Sequence, residues 1–326
     1  MLLALAALAA LAGATRVGRA QSRLPLRIST PAVPDDWHAR MWTVLKEDLE
    51  RSAAGQFDVQ IHLNASLFKQ GAEPVAMARG NLEMTSMSAF DIAKIVPEFS
   101  IFTAGYVLRD AQHLMKVFQG PIGDELFRLV SQKMDVTVLV PIYYGTRQLG
   151  LRETRSVKTP ADLKGLKLRM PGSKEWLFLG AALGAAPAPL AFGEVYLGLK
   201  TGTIDAQDNP LPTVRSAKFY EVLKQLVLTS HLVESLFICV SNRLWNGLGA
   251  QQQAALRHAA LAAASYNNEN RLADERRLPD FFRAQGLVIS SPDIAAFQAA
   301  VGKAYQESEY ARLWPKGLLE RINATR

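Results

Sequence analysis

Short runs of β-forming residues alternate with amphipathic segments along most of this chain. Segments 26–30 and 57–63 have the residue types and alternating polarity of strands, and 36–53 between them has the apolar face of a helix. Segment 136–142 is nearly all apolar, which is typical of a buried parallel strand. This alternation predicts the α/β class, with helices covering largely parallel sheets.

The second half of the chain repeats the pattern and ends in a long Ala-rich tract at 250–285, where Pro279 is expected to kink or divide the helix. The other predicted elements are strands at 166–170, 203–205, 223–229 and 235–240 and helices at 174–183 and 192–199. With 326 residues, 49% of them hydrophobic, the chain has enough apolar side chains for a large core, and its length favours two lobes.

The N-terminus has the composition of an export signal. Residues 2–14 are almost wholly Leu, Ala and Gly, which is too short a run to span a bilayer but suits the apolar core of a signal peptide. Small residues precede Ala20, so we predict that residues 1–20 are removed by cleavage near Ala20. The apolar run has no Lys or Arg before it, and a short N-terminal helix is the alternative interpretation.

Charge and motifs exclude several function classes. The formal net charge of +7 is spread along the chain rather than clustered, so no nucleic-acid surface is expected. The sequence lacks the nucleophile elbow, the zinc-protease helix motif, the P-loop and the dinucleotide fingerprint. The histidines lack ligand-like neighbours, and the single cysteine, Cys239, lies in an apolar run. We therefore predict neither an enzyme nor a metal or cofactor site.

Polar side chains follow three of the apolar strands. They lie in the segments 143–148, 166–171 and 207–211, and ligands bind at such strand ends in open α/β sheets. Arg169 is costly to bury without a partner, and its planar fork matches a carboxylate. From its position alone, an internal salt bridge and a ligand carboxylate are equally good explanations of Arg169.

The motifs around these strand ends resemble a known family. The matching strings, in order and with the right gaps, are YGTRQ (144–148), KTPADLKGLKLRMP (158–171), AFGEVYLGL (191–199), TIDAQDNP (203–210) and KFYEV (218–222). They are similar to the DctP-type solute-binding proteins of tripartite ATP-independent periplasmic (TRAP) transporters. Weaker similarity covers nearly all of the chain from about residue 25.

The resemblance implies a role for particular residues. Arg169 matches the family arginine that forms a salt bridge with the ligand carboxylate, and Arg147 matches a second arginine that contacts the acid group. Asn209 matches an asparagine that hydrogen-bonds the ligand, Phe192 matches an aromatic that packs on it, and His231 matches a histidine near the pocket. The rest of the ligand is left open, because sugar acids, dicarboxylates, 2-keto acids, aromatic acids and sulfonates all present an anionic group.

The opposite wall of the implied pocket differs from that of the sialic-acid-binding member of the family. That protein has an acidic residue where this chain has Ser88 and a basic one where it has Asp91, so sialic acid is not the expected ligand. We take Trp37, Ser88, Phe90 and Asp91 as candidates for this wall. Ordinary packing is the stronger interpretation of Trp37.

The resemblance also implies an architecture, a location and partners. We expect a two-lobed periplasmic-binding-protein fold of type II-like form, with a hinge and a long helix that spans both lobes. The expected first lobe is 24–144 plus 235–274 and the second is 145–234 plus 275–326. The protein would act in the periplasm as a monomer, with a small organic acid and the small and large TRAP membrane subunits as partners. An ABC-type binding protein, a periplasmic sensor partner and an exported enzyme are the alternatives.

Overall fold

The computed structural model describes residues 23–326. The predicted signal peptide and its cleavage near Ala20 lie outside the described residues. Among residues 23–326, none of the helices combines the length and the hydropathy that are needed to cross a bilayer.

The described chain forms one mixed sheet. Its strands are β1 (Leu24–Ser29), β2 (Phe57–His62), β3 (Met84–Ser88), β4 (Val136–Leu151), β5 (Lys167–Met170), β6 (Ala186–Pro189), β7 (Ala206–Pro210), β8 (Gln225–Ser241) and β9 (Val288–Ser290). Their order is β2-β1-β3-β8-β4-β7-β5-β6, and β9 pairs with β8. β1 is parallel to β2 and β3, and β5 is parallel to β6 and β7, whereas β4 and β8 are antiparallel to each other.

The two long strands β4 and β8 join the halves of this sheet. The segment 236–240 of β8 pairs with β3, and 147–151 of β4 pairs with β7. Each half is thus a small sheet that shares these strands, and the fold is two-lobed.

Helices cover both faces of the sheet. They are α1 (Trp37–Ser52), α2 (Glu73–Ala78), α3 (Ala89–Ala93), α4 (Ala111–Phe118), α5 (Pro121–Met134), α6 (Lys174–Ala182), α7 (Val195–Thr201), α8 (Leu211–Ser216), α9 (Asn242–Trp245), α10 (Ala250–Ala284), α11 (Ile294–Gln306) and α12 (Leu318–Ala324). The helix α10 spans both lobes, because Leu256 to Ala264 pack with β1 and α1, and Leu278 and Phe282 pack with α7 and α8.

Gly145 lies where β4 passes from one lobe to the other. Its φ of +134° and its surroundings both demand glycine, since a Cβ there would lie 2.5 Å from Cβ of Pro210. The Glu275 side chain on α10 accepts hydrogen bonds from the Thr146 N–H at 2.7 Å and the Tyr143 hydroxyl at 2.6 Å. The crossing of β4 is therefore tied to the long helix on both sides of the glycine.

Several predicted elements differ from the observed ones. The strand predicted at 203–205 is a turn, and β7 begins at Ala206; Ile204 is apolar because it is buried in the turn after α7. Strands 223–229 and 235–240 are one strand, β8, whose polar middle breaks the apolar pattern. Pro279 lies inside α10 and does not divide it.

The lobe boundaries remain a proposal. The crossing of β4 at Gly145 supports the first of them. The last helix, α12, was assigned to the second lobe, but its Leu318 and Ile322 pack with residues 76–138 of the first.

A buried ion pair links α1, α8 and α10. Asp36 caps α1 by accepting the His38 N–H at 2.9 Å, and it also pairs with Arg271, which has no exposed surface. Thr213 accepts from Arg271 at 2.7 Å, and Ser216 donates to Asp36 at 3.0 Å. Burial raises the pKa of Asp36, but the positive charge of Arg271 more than offsets this, so the pKa lies below its usual range.

Replacing Arg271 by Met should destabilise the protein strongly. The Asp36 carboxylate would stay buried without its cation, which costs about 3–5 kcal/mol. Urea unfolding of the Arg271→Met variant measures this loss. Arg283→Met on the same helix is the control, because its pair with Asp280 is exposed and contributes less than about 1 kcal/mol. Equal losses in the free energy of unfolding would show that the buried pair contributes no more to stability than the exposed one.

Candidate ligand-binding site

A cavity of about 430 Å³ lies between the two lobes. One wall comes from α2, β3 and α3, and the other from β4, β5, β7 and the segment before α7. The volume is in the range of pockets that hold small molecules. Of the predicted site residues, the cavity is lined by Arg147, Arg169, Asn209, Phe192, Ser88 and Asp91.

Arg169 projects from β5 into this cavity. Its side chain is 1% exposed, yet within residues 23–326 it donates hydrogen bonds to neutral oxygens alone, the Leu190 carbonyl from Nε at 2.8 Å and Gln70 Oε1 from Nη2 at 3.1 Å. No carboxylate of residues 23–326 forms an ion pair with it. Burial lowers the pKa of Arg169 to about 10.

A buried guanidinium without a counter-ion carries an uncompensated desolvation cost. The sequence left two explanations of Arg169 open. The internal salt bridge is not observed, because Arg169 has no carboxylate partner among the described residues. The planar fork facing a cavity is suited to receive a carboxylate from a ligand.

Arg147, in contrast, is neutralised by the protein. Its Nε donates to Asp208 at 2.7 Å and its Nη1 to Glu234 at 2.6 Å. Burial lowers the pKa of Arg147, but these two carboxylates more than offset it and raise the pKa above the usual range. The Trp176 ring lies 4.5 Å from the guanidinium carbon. Arg147 therefore reaches the cavity as one part of a charge-balanced cluster.

His231 supports this cluster from behind and does not line the cavity. It is fully buried, its Nε2 lies 3.1 Å from Asp208 Oδ2, and its Nδ1 lies 2.8 Å from the Thr229 hydroxyl. Burial lowers the pKa of His231. Its position next to Asp208 orients that carboxylate toward Arg147.

The remaining predicted residues divide between the cavity and the core. Asn209 and Phe192 face the cavity beside Arg147 and Arg169 respectively. Ser88 and Asp91 face it from the other side as the capping box of α3, with 2.8 Å between the Ser88 hydroxyl and Asp91 Oδ2.

Phe90 and Trp37 do not line the cavity. Phe90 stacks on Trp176 with 3.5 Å between ring centroids, so it is Trp176 whose ring reaches the cavity. Trp37 packs edge-on against Tyr266 of α10, and its Nε1 donates to Asp274 at 2.6 Å. Both aromatic side chains therefore pack against neighbouring elements and do not form part of the cavity wall.

A family model described as bacterial extracellular solute-binding protein, family 7 (DctP), matches residues 30–311. That range includes both lobes and every cavity-lining side chain. The chain belongs to the DctP family.

Individual relatives agree with this assignment. The chain is 30% identical to the sialic acid-binding periplasmic protein SiaP of Vibrio cholerae over 81% of this chain and 82% of SiaP. It is 32% identical to the 2,3-diketo-L-gulonate-binding periplasmic protein YiaO of Escherichia coli over 79% of each chain. Among solved structures, a TRAP periplasmic solute binding protein of Roseobacter denitrificans with bound 3-deoxy-D-manno-oct-2-ulosonic acid (KDO) has a TM-score of 0.90 and 45% identity, over 93% of this chain and 100% of that one.

The resemblance inferred from the motifs is therefore confirmed. The two-lobed α/β fold and the function as a solute-binding protein of the DctP family are confirmed with it. The family binds solutes and does not catalyse reactions. Among residues 23–326 there is no group of three or more His, Cys, Asp or Glu side chains that could hold a metal ion.

Sequence reasoning missed several side chains that this DctP protein places in the cavity wall. They are Asp36, His38, Gln70, Glu73, Ser86 and Trp176. Burial lowers the pKa of His38 to about 4, so its imidazole is neutral at pH 7, and its Nε2 lies 2.6 Å from the Ser86 hydroxyl. No motif marks these residues, because they come from loops, helix starts and the strand β3, which meet only in the folded protein.

The two buried arginines of the cavity wall, Arg147 and Arg169, should differ in their effect on stability when each is replaced by Met in the ligand-free protein. Arg147→Met leaves Asp208 and Glu234 buried without their cation, so we expect a loss of about 3–5 kcal/mol in the free energy of unfolding. Arg169→Met removes an unpaired charge and should leave stability unchanged or raised. Urea unfolding of both variants measures the difference, and a large loss for Arg169→Met would assign Arg169 a structural role.

Proposed function

We propose that this protein captures a sugar acid in the periplasm and delivers it unchanged to the small and large membrane subunits of a TRAP transporter. The observation that carries the proposal is the buried Arg169, whose guanidinium faces the cavity without a carboxylate partner among the described residues. A ligand carboxylate would supply the missing counter-ion. KDO is the first candidate, because the relative that holds it is 45% identical to this chain.

Other relatives support an acid with several hydroxyl groups. A TRAP solute binding protein of Roseobacter denitrificans with bound L-galactonate has a TM-score of 0.85 and 27% identity over 93% of this chain and 99% of that one. KDO and L-galactonate share one carboxylate and a chain of hydroxyls. The wall opposite Arg169 is polar enough for such a chain, with Ser86, Ser88 and Asp91 among its residues.

Binding would be coupled to closure of the lobes. Arg169 on β5 donates to Gln70, which precedes α2 in the other lobe, so the acid-binding arginine also touches the facing wall. A ligand that binds the closed state better than the open one shifts the population to the closed state. Closure also removes water, which strengthens the interaction of the guanidinium with the carboxylate.

In this proposal the site residues divide by role. Arg169 binds the carboxylate, Phe192 packs beside it and Asn209 hydrogen-bonds the ligand. Arg147, held by its carboxylates and by His231, contributes a rigid surface and not a second free charge. We further propose export with cleavage near Ala20, and a monomer of two lobes with the boundaries given above, except that α12 belongs to the first lobe.

Loss of the Arg169 guanidinium should abolish tight binding. Removing one partner of a buried charge pair costs about 3–5 kcal/mol, which is more than a hundredfold in affinity. We expect Arg169→Met to show no binding of KDO at micromolar concentrations, and Arg169→Lys to bind more weakly than the wild type because Lys lacks the fork. Isothermal titration calorimetry measures all three proteins.

The control is Arg128→Met, an exposed position on α5 outside the cavity, which should bind KDO as the wild type does. Equal KDO affinity in wild type and Arg169→Met would contradict the role of Arg169. If only uncharged sugars raise the thermal stability of the wild type, the assignment of an acid ligand is wrong.

A further inference from the structure

Glu73 is a buried carboxylate that the roles assigned so far leave unused. It begins α2, lines the cavity and is 6% exposed. Its Oε2 accepts the Gly71 N–H at 2.7 Å, and no side chain of residues 23–326 donates to this carboxylate. A carboxylate that faces a cavity without a side-chain donor is available to a ligand.

Among the residues that the structure describes, no Lys, Arg or His forms an ion pair with Glu73. Lys94 is the nearby positive charge, and its ammonium donates at 3.0 Å to Asp91, the second carboxylate of this wall. Burial raises the pKa of Glu73 to about 7, and the negative charge of Asp91 acts in the same direction. Glu73 is therefore not explained as one half of a structural ion pair.

The turn before α2 places two side chains in the cavity wall. Gly71 has a φ of +86°, a conformation that favours glycine, between Gln70 and Glu73. Gln70 reaches Arg169, and Glu73 reaches the cavity two residues after the glycine. Contacts to the acid end and to the rest of the ligand thus come from one short segment.

The two ends of the cavity differ in charge. Arg169 is the buried cation without a carboxylate partner in the described lining, whereas the facing wall carries Glu73 and the pair of Asp91 with Lys94. Lys69 also lines the cavity but is exposed, so water screens its charge. A ligand with one carboxylate meets both ends favourably, and a second carboxylate would face Glu73 and Asp91.

We propose that Glu73 accepts hydrogen bonds from ligand hydroxyl groups and restricts the cavity to polyhydroxylated monocarboxylates, against dicarboxylates and hydroxyl-free acids. This inference rests on the proposed function, since it needs the ligand carboxylate at Arg169. Hydroxyls fit better than an ammonium group, because Lys94 already places a positive charge beside Asp91. Glu73 is thus a specificity residue, distinct from the charge anchor.

Competition against KDO tests the proposal with ligands of matched length. Galactonate and galactarate share six carbons and the hydroxyls of C2 to C5, but the sixth carbon is an alcohol in the first and a carboxylate in the second. Hexanoate has one carboxylate and no hydroxyl. For the wild type, calorimetric displacement of KDO should rank galactonate at least tenfold above both galactarate and hexanoate.

The Glu73→Gln variant keeps the size of the side chain and removes its charge. We expect it to bind KDO at least tenfold more weakly and to narrow the difference between galactonate and galactarate. Glu47→Gln, an exposed position on α1, should match the wild type in both measurements. Thermal unfolding of each variant without ligand checks that it folds. If Glu73→Gln does not fold, Glu73→Asp, which keeps the charge at a shorter reach, should bind KDO with reduced affinity.

The outcomes separate the two proposals. If the wild type binds none of these acids, the proposed function fails and the role of Glu73 falls with it. If it binds KDO, but galactarate or hexanoate competes as well as galactonate, or Glu73→Gln binds KDO as the wild type does, acid binding stands and the role of Glu73 is overturned. The wild type could instead prefer galactarate. If the Lys69→Met variant then loses galactarate binding, Lys69 binds a second carboxylate of the ligand.

Discussion

The ion cluster of Arg147, Asp208 and Glu234 is the constraint on which the site depends. Its members come from β4, β7 and β8, neighbouring strands in the region where the sheet passes between the lobes. Because these charges neutralise one another, the cluster does not need a charged group from a ligand. The charge left for the ligand is that of Arg169 on β5, one strand beyond β7. One arginine is thus paired within the protein, and its neighbour has no carboxylate partner among residues 23–326, as the proposed binding of a ligand carboxylate needs.

The lobes are linked both by segments of the chain that cross between them and by side-chain contacts to those segments. The strands β4 and β8 and the helix α10 run through both lobes, and Glu275 of α10 holds β4 on either side of Gly145. The pair of Asp36 with Arg271 adds a buried contact between α1 and α10, and the hydroxyls of α8 join it. Movement of the lobes must therefore bend these few connections and also alter the contact of Phe90 with Trp176, because the hydrophobic cluster that holds this pair includes residues of both lobes.

Hydrophobic periodicity was sufficient to predict the α/β class and most strands and helices. Hydrophobic periodicity failed where polar residues of the site interrupt the apolar pattern of a strand, and where an apolar residue is buried in a turn. The middle of β8 carries His231 and Glu234, whose polarity divided one strand into two predicted ones. Ile204 is apolar because a turn buries it, and it was taken for a strand residue.

Only part of the site could be predicted from the sequence, and the reason is physical. Motifs located Arg147 and Arg169, but both have the same sequence environment of an arginine at an apolar strand end. Their difference is the presence of two carboxylates, one from β7 and one from β8, which meet Arg147 only in the folded sheet. Phe90 and Trp37 show the same limit, since the cavity is lined instead by Trp176, Gln70 and Glu73 from other parts of the chain.

In the proposed mode of binding, specificity and closure share one segment, residues 70–73. Within residues 23–326, the Arg169 guanidinium is satisfied by the Gln70 amide and a carbonyl, neutral acceptors that hold a cation less strongly than a carboxylate does. A carboxylate would add charge-assisted bonds at this point, while hydroxyls farther along the ligand would reach Glu73 on the same turn. A ligand that offers both stabilises the turn against Arg169 from two sides. A ligand that offers only the acid gives Glu73 no hydroxyl donor, and closure over it is less favourable.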